Sequence, residues 1–301
     1  MEQAVLSKKP LDLNEDSDRR SDFDKLIKRI VKLFISLVVF ISDSLLRNIR
    51  GMFGDRGSRD FVVLYYHLVD SEERSRFCWQ MDYLAKKTRL VPADFKGTVQ
   101  AGVNSVAVTF DDAFASLAET AIPEMESRGI PFTVFVPTAF VGRPAGWIRH
   151  PGKNKSVPQV MDTRQIQALE RIPAALIGSH CRTHCRLSEL QDVESREEIT
   201  RSKKELEEIL EREVTLLSFP YGSHGENNLL MAREAGYQRV FTIEPKRNRG
   251  PVGRIFSAGR IRVDPGDWKV EFRLKVAGSY SWVTIASRMK KEIFRGVGTQ
   301  H

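Results

Sequence analysis

The stretch Ser105-Val-Ala-Val-Thr-Phe-Asp-Asp112 decides how this chain folds and where its chemistry lies. Its apolar run is short and rich in β-branched and aromatic side chains, which is typical of a buried strand. Asp111 and Asp112 follow the run directly, and successive side chains of a strand point to opposite faces. We therefore expect one carboxylate to join a metal site and the other to remain free for proton transfer.

A second group of candidate ligands, His180-Cys-Arg-Thr-His184, follows further along the chain. Two neutral imidazoles and one carboxylate hold a zinc-like ion and leave coordination positions open for water and substrate. Such an ion acidifies water and polarises a carbonyl group. Together the two patterns predict metal-assisted hydrolysis.

From Phe61 onward, short apolar runs rich in β-branched residues alternate with amphipathic stretches, which is the pattern of an α/β barrel. One long amphipathic helix is predicted over Val193–Arg212. The candidate residues His67, His180 and Tyr221 each follow a predicted strand, and such strand ends meet at one mouth of a parallel barrel. The predicted strands are Phe61–Tyr66, Ser105–Phe110, Phe132–Val136, Ala174–Gly178, Thr215–Phe219, Arg239–Ile243 and Arg260–Val263.

The first 57 residues differ in composition from the rest of the chain. Residues 1–24 contain seven acidic and four basic residues with little apolar surface, so we expect a disordered acidic N-terminus. Residues 25–57 combine an apolar and basic helix with a glycine-containing linker.

The uncharged run Leu33–Ser42 is shorter than the roughly 20 residues that span a bilayer. It lies deeper in the chain than a secretory signal would, and no small-residue cleavage site follows it. Its basic flanks suit segment 25–50 to an anionic membrane surface. A helix that packs against the catalytic domain is the alternative, and periodicity does not distinguish the two. We therefore expect a cytoplasmic or peripheral membrane protein without a cleavable signal peptide.

Charge and cysteine content narrow the classes of partner and compartment. The net charge of +8 is spread along the chain rather than gathered with aromatic residues, so no nucleic-acid partner is predicted. The three cysteines do not suggest a disulfide framework, which favours a reducing compartment.

Three motifs in a fixed order give the chain a family resemblance. Thr109-Phe-Asp-Asp112, Gly178-Ser-His-x3-His184 and Phe219-Pro-Tyr-Gly222 resemble the first three motifs of the polysaccharide deacetylases, the NodB-homology carbohydrate esterases. Tyr66-His67 is similar to a pair found in the poly-N-acetylglucosamine deacetylase branch. The resemblance implies a distorted (β/α) barrel over residues 58–285, with an N-terminal extension before it and a basic tail, 286–301, after it.

The resemblance also implies an activity, namely metal-dependent removal of N-acetyl groups from a sugar polymer or a lipid-linked saccharide. Asp112, His180 and His184 would hold a divalent metal, for which the donor set favours Zn²⁺. Asp111 would act as the general base that takes a proton from water. The backbone N–H of Tyr221 would stabilise the oxyanion.

The sequence departs from the family pattern in two places. No Leu-x-His motif occurs near the C-terminus, and the resemblance to the branch with the Tyr-His pair implies that His67 is the general acid; a hydrogen-bonded structural imidazole is the alternative. Ser218 stands where the family has an arginine beside the base, so Arg260 and Arg262 are candidate charge partners of Asp111, and a solvated strand edge is the alternative for them.

Substrate contacts and alternative functions remain open at this stage. The candidate substrate contacts are Trp147, Trp268, Arg260 and Arg262. The two tryptophans are candidate walls for a sugar ring, although aromatic residues more often lie in a core. The two departures also fit a degenerate barrel that binds glycan without cleaving it. Because one fold hosts many reactions, hydrolysis of a small N-acyl or cyclic-imide substrate is a further alternative.

Overall fold

A closed barrel of parallel strands forms the centre of the computed structural model, which describes residues 13–52, 60–99, 102–149 and 156–297. The strands are β1 Phe61–Tyr66, β2 Arg89–Leu90, β3 Ser105–Phe110, β4 Phe132–Val136, β5 Ala175–Ser179, β6 Leu216–Ser218, β7 Arg239–Thr242 and β8 Ser257–Arg262. All except β2 form the ring in the order β1-β8-β7-β6-β5-β4-β3, which closes through the pairing of β1 with β3. The predicted (β/α) barrel is therefore confirmed.

Helices surround the barrel and extend it at both ends of the chain. They are α1 Leu13–Met52, α2 Arg74–Lys87, α3 Ala121–Ser127, α4 Thr163–Glu170, α5 Asp192–Leu210, α6 Glu226–Glu234, α7 Lys269–Val276 and α8 Trp282–Val297. The predicted N-terminal extension is thus present as α1.

The barrel has two apolar layers because strand side chains alternate between its lumen and its helices. Val106 and Val108 of β3 belong to the large cluster under the helices, whereas Ala107 belongs to a separate cluster in the lumen. Asp111 continues the alternation of Ala107, and His67 continues that of Val63 on β1. The strand period therefore directs both side chains to the lumen side of the barrel mouth.

Helix α1 lies along the flank of the barrel. Arg29 Nη2 donates a hydrogen bond to the carbonyl of Gly266, in the loop that follows β8 at the carboxyl end. Further along α1, Asp43 forms an ion pair with Arg247, which also approaches Asp60 just before β1. One face of α1 therefore packs against the domain from the carboxyl end of the barrel to its amino end.

Several predicted boundaries differ from the observed elements. Helix α1 begins at Leu13, within the segment expected to be disordered, and continues to Met52, within the expected linker. Residues 1–12, 53–59 and 298–301 lie outside the described residues. Helix α8 begins at Trp282 and therefore crosses the boundary predicted at residue 285. Trp282 Nε1 donates a hydrogen bond to Ser36 Oγ, which ties the start of α8 to α1. In the described part of the chain, no helix is long and apolar enough to cross a membrane.

Candidate active site

A cleft of about 920 Å³ opens at the carboxyl end of the barrel. It lies where the parallel strands end, which is the usual position of active sites in such barrels. The sequence-predicted residues that line it are His67, Asp111, Asp112, Trp147, His180, His184, Tyr221 and Arg262.

Asp111 is held by a bidentate ion pair with Arg260 of β8. Arg260 Nη1 donates to Asp111 Oδ1 and Nη2 donates to Oδ2, each at 2.7 Å, and the guanidinium is fully buried. Nη2 also donates to Ser218 Oγ at 2.7 Å, and Nη1 donates to Thr109 Oγ1 at 3.2 Å. The small Ser218 side chain thus lies beside the guanidinium and accepts from it, at the position where the family motif has its own arginine.

This pair sets the ionisation of Asp111. Burial by itself would raise the pKa of this carboxyl, but the Arg260 guanidinium, together with His180 and His67, outweighs burial and holds the pKa well below its ordinary value. Asp111 is therefore a carboxylate at neutral pH despite being buried.

Asp112 lies among the two histidines of the predicted ligand set. Its Oδ1 atom is 3.0 Å from His184 Nε2 and 3.5 Å from His180 Nε2, and one ligand atom from each residue lies within 4.8 Å of the others. Oδ1 is also buried and has no hydrogen-bond partner. A buried carboxylate oxygen that faces imidazole nitrogens fits a divalent cation, because that is the group such donors would share.

The ring of His180 is oriented as a metal ligand requires. Its Nδ1 donates to the carbonyl of Ser218 at 2.8 Å, so the proton is on Nδ1 and the lone pair of Nε2 faces Asp112. Burial lowers the pKa of His180 to about 4, even though Asp111 acts to raise it, so the imidazole is neutral at neutral pH.

Left-handed backbone is concentrated at this site. Of the described non-glycine residues, those with positive φ are Asp112, Ala113, Cys181, His184, Glu211 and Tyr221, and all but Glu211, which caps α5, belong to the site or its flanks. Asp112 has φ 71°, so the chain leaves the strand conformation there. Both adjacent carboxylates therefore line the cleft, and the expectation that they face opposite sides of the strand is wrong.

The loop that carries both histidines is supported from α5 by Glu198. Its Oε2 atom accepts hydrogen bonds from the backbone N–H groups of Arg182 and Thr183 at 3.0 and 2.8 Å, and Oε1 accepts one from Thr183 Oγ1 at 2.8 Å. These bonds fix the segment between Cys181 and His184, which both have positive φ. Glu198 is not predicted as a site residue from the sequence. It lies in a charged helical stretch, and nothing there distinguishes it from its exposed neighbours.

The predicted acid and oxyanion residues also lie in the cleft. His67 is half-buried and packs edge-on to Tyr65, with ring centroids 5.5 Å apart. The Tyr221 ring lies edge-on to His184 at 4.8 Å and under the Arg186 guanidinium at 4.3 Å. Tyr221 thus contacts the ligand set, and His67 lines the same cleft.

Of the predicted substrate contacts, Trp147 and Arg262 line the cleft and Trp268 does not. The Trp147 ring lines the cleft and stacks on His184, with centroids 4.1 Å apart and an interplanar angle of 18°. Exposed Arg262 lies at the rim, two residues beyond the buried Arg260. Trp268 is not among the described residues that line the cleft. It lies under Arg29 of α1 at 4.4 Å, so the structure does not bring it together with the other candidate substrate contacts.

Comparison with known proteins agrees with this geometry. A family model described as polysaccharide deacetylase matches residues 98–240. YxkH of Bacillus subtilis (strain 168), named for the same family, is 27% identical over 161 residues, which are 54% of this chain and 52% of that protein. The chain thus spans about half the length of that relative.

Solved structures resemble the barrel over a larger share of the chain. IcaB from Ammonifex degensii has a TM-score of 0.61 at 27% identity and covers 75% of this chain and 98% of its own. The Streptococcus pyogenes deacetylase PplD, solved with acetate, has a TM-score of 0.56 at 18% identity, over 73% of this chain and 99% of its own, and supports the fold. The barrel of this chain is thus similar in sequence and in fold to proteins of the polysaccharide deacetylase family.

Proposed function

We propose that this protein is a metal-dependent hydrolase that removes N-acetyl groups from an N-acetylated sugar polymer or a lipid-linked saccharide. The observation that carries the proposal is the contrast between two adjacent buried carboxylates. Asp111 is bonded at both oxygens by Arg260, whereas Asp112 Oδ1 faces two imidazoles without a hydrogen-bond partner. A base and a cation ligand side by side are what hydrolysis of an amide requires.

Asp112, His180 and His184 would hold the cation. Their two nitrogens and one oxygen suit Zn²⁺, and other divalent ions accept the same donors. When bound, the cation would supply Lewis-acid polarisation of the acetyl carbonyl and would lower the pKa of water.

The chain's own residues would move the protons. Asp111 accepts a proton from water as the water oxygen bonds to the acetyl carbon, and Arg260 keeps this base ionised until then. The backbone N–H of Tyr221 donates to the oxyanion that develops on the carbonyl oxygen. His67 then protonates the sugar nitrogen as the carbon–nitrogen bond breaks, which yields acetate and a free amine.

The size and rim of the cleft support a glycan over a small imide. Its volume of about 920 Å³ is near the upper end of ligand sites, which hold about 300–1,000 Å³. The 40% exposed Tyr221 ring lies at its edge and offers an aromatic face of the kind that packs against apolar groups. Arg262 adds a cation to the same rim.

Acetate release from an N-acetylglucosamine oligomer tests the proposal. Asp111→Asn should abolish release and leave bound metal almost unchanged, whereas His180→Ala should lose both. The matched control is Asp82→Asn on α2, because Asp82 is half-exposed and its ion pair with Arg128 contributes little.

Two outcomes would reject the mechanism. Full activity of Asp111→Asn would remove the assigned base. A wild-type protein that holds metal but releases no acetate from any oligomer would instead identify a glycan-binding barrel without turnover.

A further inference from the structure

Helix α1 packs against the barrel through polar residues together with Leu33, and it leaves most of its large apolar residues exposed. Arg29 and Asp43 face the domain through ion pairs, and Ser36 is fully buried and accepts a hydrogen bond from Trp282 Nε1 at 2.9 Å. Outward lies a stripe of large apolar side chains, each 42–66% exposed: Ile27, Val31, Phe34, Val38, Ile41 and Leu45. We call this stripe and its apolar neighbours the α1 apolar face.

The other long helix of the protein shows how unusual this arrangement is. In α5, Ile199, Leu206 and Leu210 are buried, and Val193 is the one large hydrophobic residue of that helix that is largely exposed. An amphipathic helix on a soluble domain normally has this second pattern. An extended apolar surface rimmed by charge indicates a contact with another apolar phase or partner.

The charges around the α1 apolar face indicate which partner it contacts. Between Lys25 and Ile49 the one acidic residue, Asp43, is paired with Arg247, and the other charged residues are basic. Lys28 and Lys32 are exposed beside the face. A second copy of the helix would bring like charges together, whereas the anionic headgroups of a bilayer would attract them.

The width of the apolar face also favours a bilayer. A coiled-coil partner needs a narrow seam at a and d positions, but here Leu26, Ile30, Leu37 and Leu46 are also 39–51% exposed and widen the stripe. Helix α8, which begins beside Ser36, adds exposed Ile285 at 62%. A broad apolar face with basic borders is the pattern of a helix that lies in a membrane interface.

We propose that residues 25–49 of α1, together with the start of α8, are a docking surface for an anionic lipid bilayer, on which this part of the helix lies flat. Arg29 joins α1 to Gly266 at the carboxyl end of the barrel, and Asp43 joins it to the amino end. The bilayer would therefore lie along the flank of the barrel, with the cleft opening beside it. If the proposed deacetylase function holds, a saccharide attached to a lipid would reach the cleft at this border.

Flotation of the full chain with vesicles tests the docking surface. Vesicles of equal parts phosphatidylglycerol and phosphatidylcholine should bind the protein at least about tenfold better than phosphatidylcholine alone, with added salt weakening the preference. Phe34→Glu with Ile41→Glu should lower binding by about tenfold or more, because it places charge within the apolar contact. The matched control is Val193→Glu with Leu230→Glu, at exposed apolar positions on α5 and α6.

Each result decides for or against the docking surface. Acetate release from a soluble oligomer should be equal in the α1 variant and the wild type, so a loss of vesicle binding is separable from a failure of catalysis. Equal vesicle binding by the α1 variant, or binding that ignores phosphatidylglycerol, would overturn the proposal. A wild type that elutes as a dimer, with an α1 variant that elutes as a monomer, would assign the face to a second copy of the chain.

Discussion

The cleft has a base side around Asp111 and a ligand side around Asp112. The carboxylates of these two consecutive residues differ in their hydrogen-bond partners. On the base side, Asp111 receives hydrogen bonds from Arg260 at both oxygens, and the guanidinium is itself bonded to Ser218 and Thr109. On the ligand side, Asp112 Oδ1 is buried with no hydrogen-bond partner. The partners, not the residue type, therefore distinguish the two roles: one carboxylate is paired with a guanidinium, and the other faces the two imidazoles with which it would share a cation.

The largest effect is expected from removing the cation on the base side. Arg260→Met leaves Asp111 buried without its charge partner and should lower acetate release at neutral pH by at least about a hundredfold, the scale of a general base. Arg196→Met is the matched control, because Arg196 pairs with exposed Glu234 on the surface and is not among the residues that line the cleft. Initial rates on an N-acetylglucosamine oligomer measure both.

The pH profile separates this effect from simple misfolding. In the wild type, burial raises the pKa of Asp111 but Arg260 holds it well below the ordinary value, so the base stays ionised in mild acid. In Arg260→Met the raising effect of burial is opposed only by the nearby His180 and His67, so the pKa of Asp111 should rise and the acidic limb of kcat/KM should move to higher pH. Arg260→Lys should move it part of the way back. An unmoved limb in Arg260→Met would contradict the pairing.

The sequence predicted the strands that carry the site better than the partners of the site. Phe61–Tyr66, Ser105–Phe110 and Phe132–Val136 were predicted with the observed bounds, because apolar runs that end at polar residues mark buried strands clearly. The short β2 was missed, since Arg89–Leu90 is too brief to show a period. His67 and Arg260 lie outside residues 98–240, so the match to the family model does not extend to these two residues of the site.

The choice between Arg260 and Arg262 depended on depth in the barrel. Two residues on one strand that are two positions apart point to the same side, so alternation predicts the lumen side for both. The observed strand starts at Ser257, earlier than predicted, which places Arg260 within the barrel and Arg262 at its end. The depth of Arg260 and Arg262 in the barrel is fixed by closure of the ring of strands, which no local sequence pattern encodes.

A smaller effect is expected on the stability of the metal-free protein. Substitutions at the neighbouring residues Asp111 and Asp112 should differ in their effect on this stability. Asp111→Asn turns an amide NH₂ toward the Arg260 donors and should destabilise the protein by about 3 kcal/mol, as when a buried ion pair is broken. Asp112→Asn should be neutral or stabilising, because its amide can donate to His184 Nε2, 3.0 Å from Oδ1. Melting temperatures in EDTA compare the variants.

Adding zinc should reverse the order of the two variants. Zinc should raise the melting temperature of Asp111→Asn, which keeps the ligand set, by far more than that of Asp112→Asn. Equal losses of stability in EDTA would show that the two carboxylates are alike in the metal-free protein, and the contrast between the two sides would fail.

The smallest effect is expected from the support beneath the ligand side. Glu198→Ala removes three hydrogen bonds to Arg182 and Thr183 and frees the loop between the two histidines, so zinc affinity should fall by about tenfold. Glu198→Gln, which keeps one acceptor oxygen, should recover part of it. Glu197→Ala is the matched control, since Glu197 is 62% exposed and pairs with Arg201 on the surface. Competition with a chromogenic chelator measures the affinity.

Saturating zinc distinguishes a positioning role for Glu198 from a direct effect on the reaction. The Asp111–Arg260 pair does not touch Glu198, so acetate release by Glu198→Ala should return close to the wild-type rate once the site is filled. Low activity at saturating zinc with unchanged affinity would instead couple the loop to the base side. That result would mean that the two sides of the cleft are not independent, because a hydrogen bond to one would then set the chemistry of the other.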